Sequence, residues 1–93
     1  MDRRLYLISY DIANDKHRLK VMHLLEGYGE RVQYSVFEVW ATADELAALR
    51  KRLGVHVKEE GSIRVYPLCA TCESARDVLG TGTPTGMADL HIV

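Results

Sequence analysis

Asp11 is the residue that the sequence places most clearly for chemistry. It directly follows residues 5–10, a short apolar run that predicts a buried strand. A carboxylate at the end of a rigid strand can hold a hard cation such as Mg²⁺. An aspartate at this position can equally turn the chain or cap a helix. Because one carboxylate is a poor metal site, the metal interpretation requires a two-fold dimer that brings two copies of Asp11 together.

Four basic residues could neutralise a phosphate backbone. Three lie within about one turn of a predicted helix and one lies in a predicted strand: Lys16, Arg18, Lys20 and Arg31. An arginine in a strand, such as Arg31 or Arg64, is suited to bidentate hydrogen bonding with a phosphate group. The alternatives are a solvated helix face for the cluster and an ion pair with Glu30 or Glu38 for either arginine.

The aromatic and cysteine side chains leave several interpretations open. Tyr10 and Phe37 could stack on nucleotide bases, although aromatic residues in strands are more often core. Cys69 and Cys72 form a lone C-x-x-C motif, whereas a zinc site normally needs four ligands. A redox motif would lie between a strand and a helix, and the segment after Cys72 carries no clear helical pattern. We therefore expect reduced, partly buried thiols. The four histidines show no ligand spacing: His17, His23, His56 and His91.

The hydrophobic pattern places these residues on a small set of strands and helices. It predicts a strand at residues 5–10, a helix at 16–26 capped by Asn14 or Asp15, a strand region at 31–41, a helix from the capping box Thr42–Glu45 to Gly54, and a strand at 62–68. The second helix places Leu46, Leu49 and Leu53 on one face. Residues 31–41 form either one long strand or two short ones, with Val32, Tyr34 and Val36 on the buried side at first. Residues 69–87 are weakly patterned, and strand character returns at residues 88–93.

Two strands at residues 31–41 would give the β-α-β-β-α-β order of the ferredoxin-like α+β fold. Both helices would then cover one face of an antiparallel sheet. The other face would be left exposed, which favours dimerisation in a protein this small. We expect a ferredoxin-like domain at residues 1–68 and a C-terminal tail with a terminal strand at residues 69–93, with the tail in the dimer interface.

Composition limits the class of protein. The chain has 93 residues, 47% of them hydrophobic and 27% charged, which suits one ordinary globular domain and excludes a disordered or collagen-like chain. The net charge of −1 argues weakly against a protein that coats nucleic acid by bulk electrostatics. No apolar stretch approaches the roughly 20 residues of a membrane span, and the N-terminal apolar run is too short for a signal peptide. We therefore expect a cytoplasmic protein that does not contact membranes.

Four segments of the sequence resemble the CRISPR-associated Cas2 family. They are L-Y-L-I-S-Y-D-I at residues 5–12, D-K-H-R at 15–18, Y-G-E-R-V-Q-Y-S-V-F-E at 28–38 and I-R-V-Y-P-L-C at 63–69. The resemblance implies a ferredoxin-like homodimer in which residues 88–93 add a strand to the partner's sheet. It also implies a role in adaptive antiviral defence, as the small subunit of the spacer-acquisition complex. In that complex the family bridges two dimers of the larger CRISPR integrase subunit and helps to hold the incoming DNA duplex.

The same resemblance implies an active site, because some family members are Mg²⁺-dependent endonucleases that act on single-stranded RNA or double-stranded DNA. Asp11 matches the aspartate that binds Mg²⁺ near the dimer axis. The other matching site residues are Tyr10, Arg18, Arg31 and Phe37. The alternative is a small ferredoxin-like regulatory module that binds a metabolite or a metal through Cys69 and Cys72 and has no nuclease activity.

Overall fold

The computed structural model describes residues 2–82, which form a β-α-β-β-α-β unit followed by a short helix. The elements are β1 (Arg4–Asp11), α1 (Asp15–Glu26), β2 (Gly29–Gln33), β3 (Val36–Ala41), α2 (Ala43–Gly54), β4 (Ser62–Leu68) and α3 (Ala70–Ser74). This order confirms the expected ferredoxin-like α+β fold. The strand expected at residues 88–93 lies outside the described residues. Among residues 2–82 no helix has the length and apolar character needed to cross a membrane.

The four strands form one antiparallel sheet in the order β2-β3-β1-β4. The first strand is central: Ile8 lies opposite Phe37 of β3 on one side and opposite Val65 of β4 on the other. Because side chains alternate along a strand, Tyr6, Ile8 and Tyr10 all point to the face that the helices cover. The residues between them point to the opposite face.

The core lies between this sheet and the two long helices. Each helix contributes a buried pair one turn apart, Val21 and Leu25 from α1, and Leu49 and Leu53 from α2. Burying each such side chain stabilises the fold by roughly 1.5–3 kcal/mol relative to leaving it exposed. The stripe predicted for the second helix is therefore confirmed.

The region at residues 31–41 forms two strands joined by a tight turn. The turn lies at residues 34–35, where the Tyr10 backbone N–H donates to the Ser35 carbonyl oxygen at 3.0 Å. A register shift between Arg31 and Gln33 marks a bulge in β2. The expected burial of Val32 and Tyr34 is wrong, since they are 37% and 79% exposed. The bulge breaks the alternation, and β2 is an edge strand that the helices cover poorly.

One glycine is required by close backbone packing at the start of β2. A Cβ atom on Gly29 would lie 2.0 Å from the Glu38 carbonyl oxygen and 2.7 Å from the Val39 Cα atom. No side chain fits there, so β2 and β3 pair at this point only because residue 29 is glycine. Gly61, which leads into β4, has φ +89°, a conformation that other residues rarely adopt.

Both long helices begin with the predicted caps. The Asn14 side chain accepts a hydrogen bond from the His17 backbone N–H at 2.9 Å. At α2, Thr42 and Glu45 make both bonds of a capping box.

The segment after β4 forms a short helix that the sequence pattern did not predict. Cys69 caps α3 at its N-terminus. None of the residues of α3 is buried, so the sequence carries no apolar periodicity that would predict the helix. Cys69 and Cys72 are exposed, so the expectation of partly buried thiols is wrong. Beyond α3, the Arg76 Nη1 atom lies 2.6 Å from the Glu38 Oε1 atom, and both side chains are mostly buried. This ion pair attaches the chain after α3 to the sheet. The boundary between a domain at residues 1–68 and a tail at residues 69–93 stays a prediction.

Two histidines far apart in sequence join the start of α1 to the loop after α2. The Nδ1 atoms of His17 and His56 are 2.9 Å apart, so one ring must donate and the other accept. Burial, followed by the positive charges of His17 and Lys20, lowers the pKa of His56 from its ordinary value of 6.5. The folded state therefore favours neutral His56.

This histidine pair predicts a loss of stability in mild acid. The pKa of His56 is lower in the folded protein than in the unfolded chain, so its contribution is complete above about pH 6.5 and is lost as the pH falls through the folded-state pKa. We expect His56→Gln to lose less thermal stability than the wild type between pH 7 and pH 5, measured as the melting temperature. His23→Gln, at an exposed histidine that lies beside Glu26 rather than beside another histidine, is the matched control. Identical pH curves for His56→Gln and the wild type would contradict the assignment.

Candidate nucleic-acid and metal site

Asp11 ends β1 at the edge of the sheet where β4 begins. Its Cα atom lies opposite Ser62, and its side chain is exposed on the face away from the helices. Within residues 2–82 the Asp11 carboxylate makes no hydrogen bond or ion pair. Its oxygens are therefore available to an external cation or donor, which is the arrangement that the metal interpretation needs.

Arg18 fixes the loop that follows Asp11. One of its guanidinium nitrogens donates to the backbone carbonyls of Ile12 and Ala13, each at 3.1 Å, and another is paired with the Asp15 carboxylate. These bonds tie the first turn of α1 to the two residues directly after the strand. Arg18 therefore acts mainly by positioning the loop at Asp11, a role that the sequence could not reveal because the acceptors are backbone atoms.

Tyr10 and Phe37 form an aromatic pair on the helix side of the sheet. Their ring centroids are 6.3 Å apart, Tyr10 is 5% exposed and Phe37 is fully buried. Phe37 therefore has the environment of a core residue, one of the two interpretations that the sequence left open. Burial raises the pKa of the Tyr10 hydroxyl, with the positive charges of Arg31 and then Arg18 acting against it. Tyr10 remains a neutral hydrogen-bond donor at physiological pH.

Arg31 extends from β2 along the same side of the sheet. Its guanidinium lies 3.6 Å from the Met22 sulfur and 6.0 Å from the centre of the Tyr34 ring, a cation–π distance. The alternative of an ion pair with Glu30 or Glu38 is not found, since Arg31 has no acidic partner in the described part of the chain and Glu38 is paired with Arg76. Arg31 therefore presents its charge to solvent.

The sheet separates the predicted catalytic residues into two groups. Tyr10, Phe37 and Arg31 lie on the helix side, whereas Asp11 lies on the opposite side at the same end of β1. Arg64 shares the face of Asp11, because it lies opposite Ser9 in the register with β4. In an antiparallel pair such diagonal neighbours are about 7–8 Å apart, within reach of a long side chain.

Lys16 and Lys20 are exposed on α1. Lys20 shares a groove with two cationic residues of α2, Lys51 and Arg52. It lines a groove between α1 and α2, hereafter the α1–α2 groove, together with His23, Leu24, Lys51, Arg52, Val55 and His56. From the sequence, Lys51 and Arg52 complement the dipole at the end of α2. Only the packing of the helices shows that they share a groove with Lys20, and within residues 2–82 none of these three makes an ion pair.

The carboxylates of a single chain supply little of a metal site. Residues 2–82 hold no cluster of three or more histidine, cysteine, aspartate or glutamate side chains. Mg²⁺ in proteins is usually held by one or two carboxylates, several waters and substrate phosphates. Asp11 fits a site of that kind when a second copy supplies the second carboxylate.

The face of the sheet away from the helices carries a buried donor. Trp40 is 7% exposed, and its indole N–H has no acceptor among the described residues. Trp40 lies opposite Leu5, which is fully buried on the same face. This end of the face is therefore apolar and contains a polar group that still requires a partner.

The chain matches the family model described as CRISPR associated protein Cas2 over residues 4–76. A relative from Chloroflexus aurantiacus, named CRISPR-associated endoribonuclease Cas2 1, is 45% identical over 91 residues, which cover 95% of this chain and 98% of the relative.

Solved structures show the same similarity. The crystal structure of Streptococcus pyogenes Cas2 matches with a TM-score of 0.72 and 33% identity, over 82% of this chain and 99% of the other. A chain from a partial Cas6-RT-Cas1–Cas2 complex matches with a TM-score of 0.71 and 37% identity, over 82% of this chain and 90% of the other.

The contacts of Arg18 predict a local effect of its removal. Arg18→Ala deletes the bonds to the two loop carbonyls and the pair with Asp15, and we expect it to cost about 1 kcal/mol because the site is partly exposed. Hydrogen exchange should become faster at residues 12–18 and stay unchanged in β4. Arg50→Ala, exposed on α2, is the control. Unchanged exchange in the loop would show that Arg18 does not hold it.

Proposed function

The chain belongs to the CRISPR associated protein Cas2 family, and on that basis we propose that it is a homodimeric, cytoplasmic subunit of a CRISPR spacer-acquisition complex. The similarity to a chain of a Cas1–Cas2 assembly supports a Cas1-type integrase subunit as its partner. In this role the protein positions the integrase and holds the nucleic acid. Membership of this family does not favour the alternative of a metabolite-binding regulatory module.

The observation that supports nucleic-acid binding is a set of exposed cations without acidic partners in the described residues. Arg31 lies on the β2 side of α1, and Lys20, Lys51 and Arg52 lie on its α2 side. A near-neutral protein can bind a phosphate backbone when its positive charge is local in this way. The nearby Asp15 carboxylate is neutralised internally by its pair with Arg18.

A homodimer would complete two features of the fold. It could bring a second Asp11 to the first, and the exposed outer edge of β4 could accept a strand from the partner's residues 88–93. The buried Trp40 indole N–H lacks an acceptor among the described residues, and a second chain could supply one.

We expect the free cations to set the salt dependence of binding to a DNA duplex. Each lost phosphate contact should reduce the slope of log K against log salt concentration by roughly one. Arg31→Gln and the double variant Lys51→Gln/Arg52→Gln should both show a shallower slope in fluorescence anisotropy titrations. Arg3→Gln removes one positive charge, as Arg31→Gln does, but at a residue paired with Glu45, and should keep the wild-type slope. Equal slopes in all variants would contradict this binding surface.

A second proposed activity is Mg²⁺-dependent cleavage of single-stranded RNA or duplex DNA. The unpaired Asp11 carboxylate at the end of a rigid strand supports it, as does the name endoribonuclease given to the Chloroflexus relative. Two Asp11 carboxylates from the dimer would hold the ion. When bound, Mg²⁺ would neutralise charge on the scissile phosphate and lower the pKa of a bound water.

The chain's own residues would position the substrate around Asp11. Arg18 holds the loop that follows the carboxylate, and Arg64 on the same face would bind a phosphate oxygen. Tyr10 and Phe37 lie buried across the sheet from Asp11, so within one chain they would support the end of β1 rather than contact the phosphate that Asp11 holds. Arg31, exposed on that other side, would bind nucleic acid away from the scissile phosphate.

Replacing Asp11 should separate nucleic-acid cleavage from nucleic-acid binding. Asp11→Asn should reduce cleavage to the level seen with EDTA, because an amide no longer supplies a charged ligand, while duplex binding and the sedimentation of the dimer remain unchanged. Asp44→Asn, at an exposed carboxylate in the first turn of α2, is the control and should cleave like the wild type. The assay measures cleavage of single-stranded RNA and of duplex DNA, each with Mg²⁺ or with EDTA.

The outcomes divide the two proposals. Full activity of Asp11→Asn would reject the metal role of that residue. Absence of cleavage by the wild type in every condition would reject the nuclease and leave the structural role in the complex.

A further inference from the structure

Cys69 and Cys72 lie at the junction between β4 and α3, away from the residues used above. β4 ends at Leu68, Cys69 is the N-terminal cap of α3, and Cys72 lies in the first turn of that helix. Both side chains are exposed. The motif therefore has the strand–C-x-x-C–helix order that the sequence pattern failed to show.

The geometry brings the two sulfurs within reach of each other. The Cys72 backbone N–H donates to the Cys69 sulfur at 3.4 Å. Cys69 is a cap residue with extended backbone rather than part of the helix, and a disulfide needs Cβ atoms about 3.5–4.5 Å apart. Because no residue of α3 is buried, this turn can adjust to that distance without disturbing the core.

The ends of this segment are held independently of the cysteines. Leu68 pairs with Leu5 in the sheet, and beyond the helix Arg76 donates to the Glu73 carbonyl at 2.9 Å and pairs with Glu38. The fold therefore presents the two thiols together on one short, anchored turn.

The two sulfurs also differ in acidity. Hydrogen bonds from the backbone N–H and the thiol of Cys72 lower the pKa of the Cys69 thiol. The same thiol contact, followed by the negative charge on Cys69, raises the pKa of Cys72. At neutral pH such a pair has one sulfur suited to attack and one suited to resolve a mixed disulfide.

We propose that Cys69 and Cys72 are a thiol–disulfide exchange site that forms a reversible intramolecular disulfide with small disulfides such as oxidised glutathione. The Cys69 thiolate attacks one sulfur of the small disulfide and releases a glutathione thiolate. The Cys72 sulfur loses its proton and attacks Cys69, which breaks the mixed disulfide and releases the second glutathione. The protein loses two electrons and two protons, and one oxidised glutathione becomes two reduced molecules.

Zinc is the competing occupant of a C-x-x-C motif. Within residues 2–82 no third ligand joins the two cysteines in a cluster, so the described chain lacks the tetrahedral set that zinc requires. The metal content of the purified protein therefore forms one arm of the test.

The first experiment is intact mass measurement of the full-length protein after incubation with oxidised glutathione. We expect the wild type to lose the mass of two hydrogens, to resist alkylation and to recover both thiols with dithiothreitol. Cys69→Ser and Cys72→Ser should instead each retain one glutathione. Wild-type protein that carries two glutathiones, forms only disulfides between chains, or is purified with stoichiometric zinc that protects both thiols would overturn the proposal.

The second experiment measures alkylation rates at pH 7 on the single variants. Cys72→Ser retains the backbone N–H at residue 72, so its remaining Cys69 should react about tenfold faster than the Cys72 that remains in Cys69→Ser. Circular dichroism of both variants checks that they fold. Equal rates, or faster reaction of Cys72, would overturn the assignment of Cys69 as the attacking sulfur.

Discussion

The central strand β1 is the constraint on which the rest of the structure depends. It is hydrogen-bonded to β3 on one side and to β4 on the other, so its register is fixed twice. Tyr6, Ile8 and Tyr10 therefore face the helices, and Asp11 faces away from them. A slip of one residue would exchange the two faces, which would bury the carboxylate and expose the core. The position of the candidate site follows from this pairing rather than from the loops around it.

Local signals made much of the fold predictable. The apolar run before Asp11, the capping box at Thr42 and Glu45 and the leucine stripe of the second helix each depend on neighbouring residues, and each is present in the structure. The exposure of Tyr34 was not predictable, because it depends on a bulge and on which strand forms the edge of the sheet. The short helix after Leu68 was missed because it buries nothing and begins with a cysteine.

The sequence predicts which residues belong to the candidate site but not how they are placed relative to one another. The sequence could not show that Arg18 binds backbone carbonyls, since any residue supplies such an acceptor. Nor could it show that Lys20 shares a groove with Lys51 and Arg52, because that groove is created by the packing of two helices. The net charge of −1 likewise conceals where the charges lie. Interactions between distant residues account for each of these gaps.

The ion pair between Arg76 and Glu38 has a consequence for the order in which a nascent chain becomes native. Glu38 leaves the ribosome well before Arg76, so this mostly buried ion pair cannot form until the chain after α3 has been synthesised. β1 also lacks its second neighbour until β4 has been synthesised. The sheet therefore cannot close stepwise from the N-terminus, and stable folding is expected only after synthesis has passed residue 76. An early release of the chain would yield a sheet that lacks β4 and this ion pair rather than a smaller stable protein.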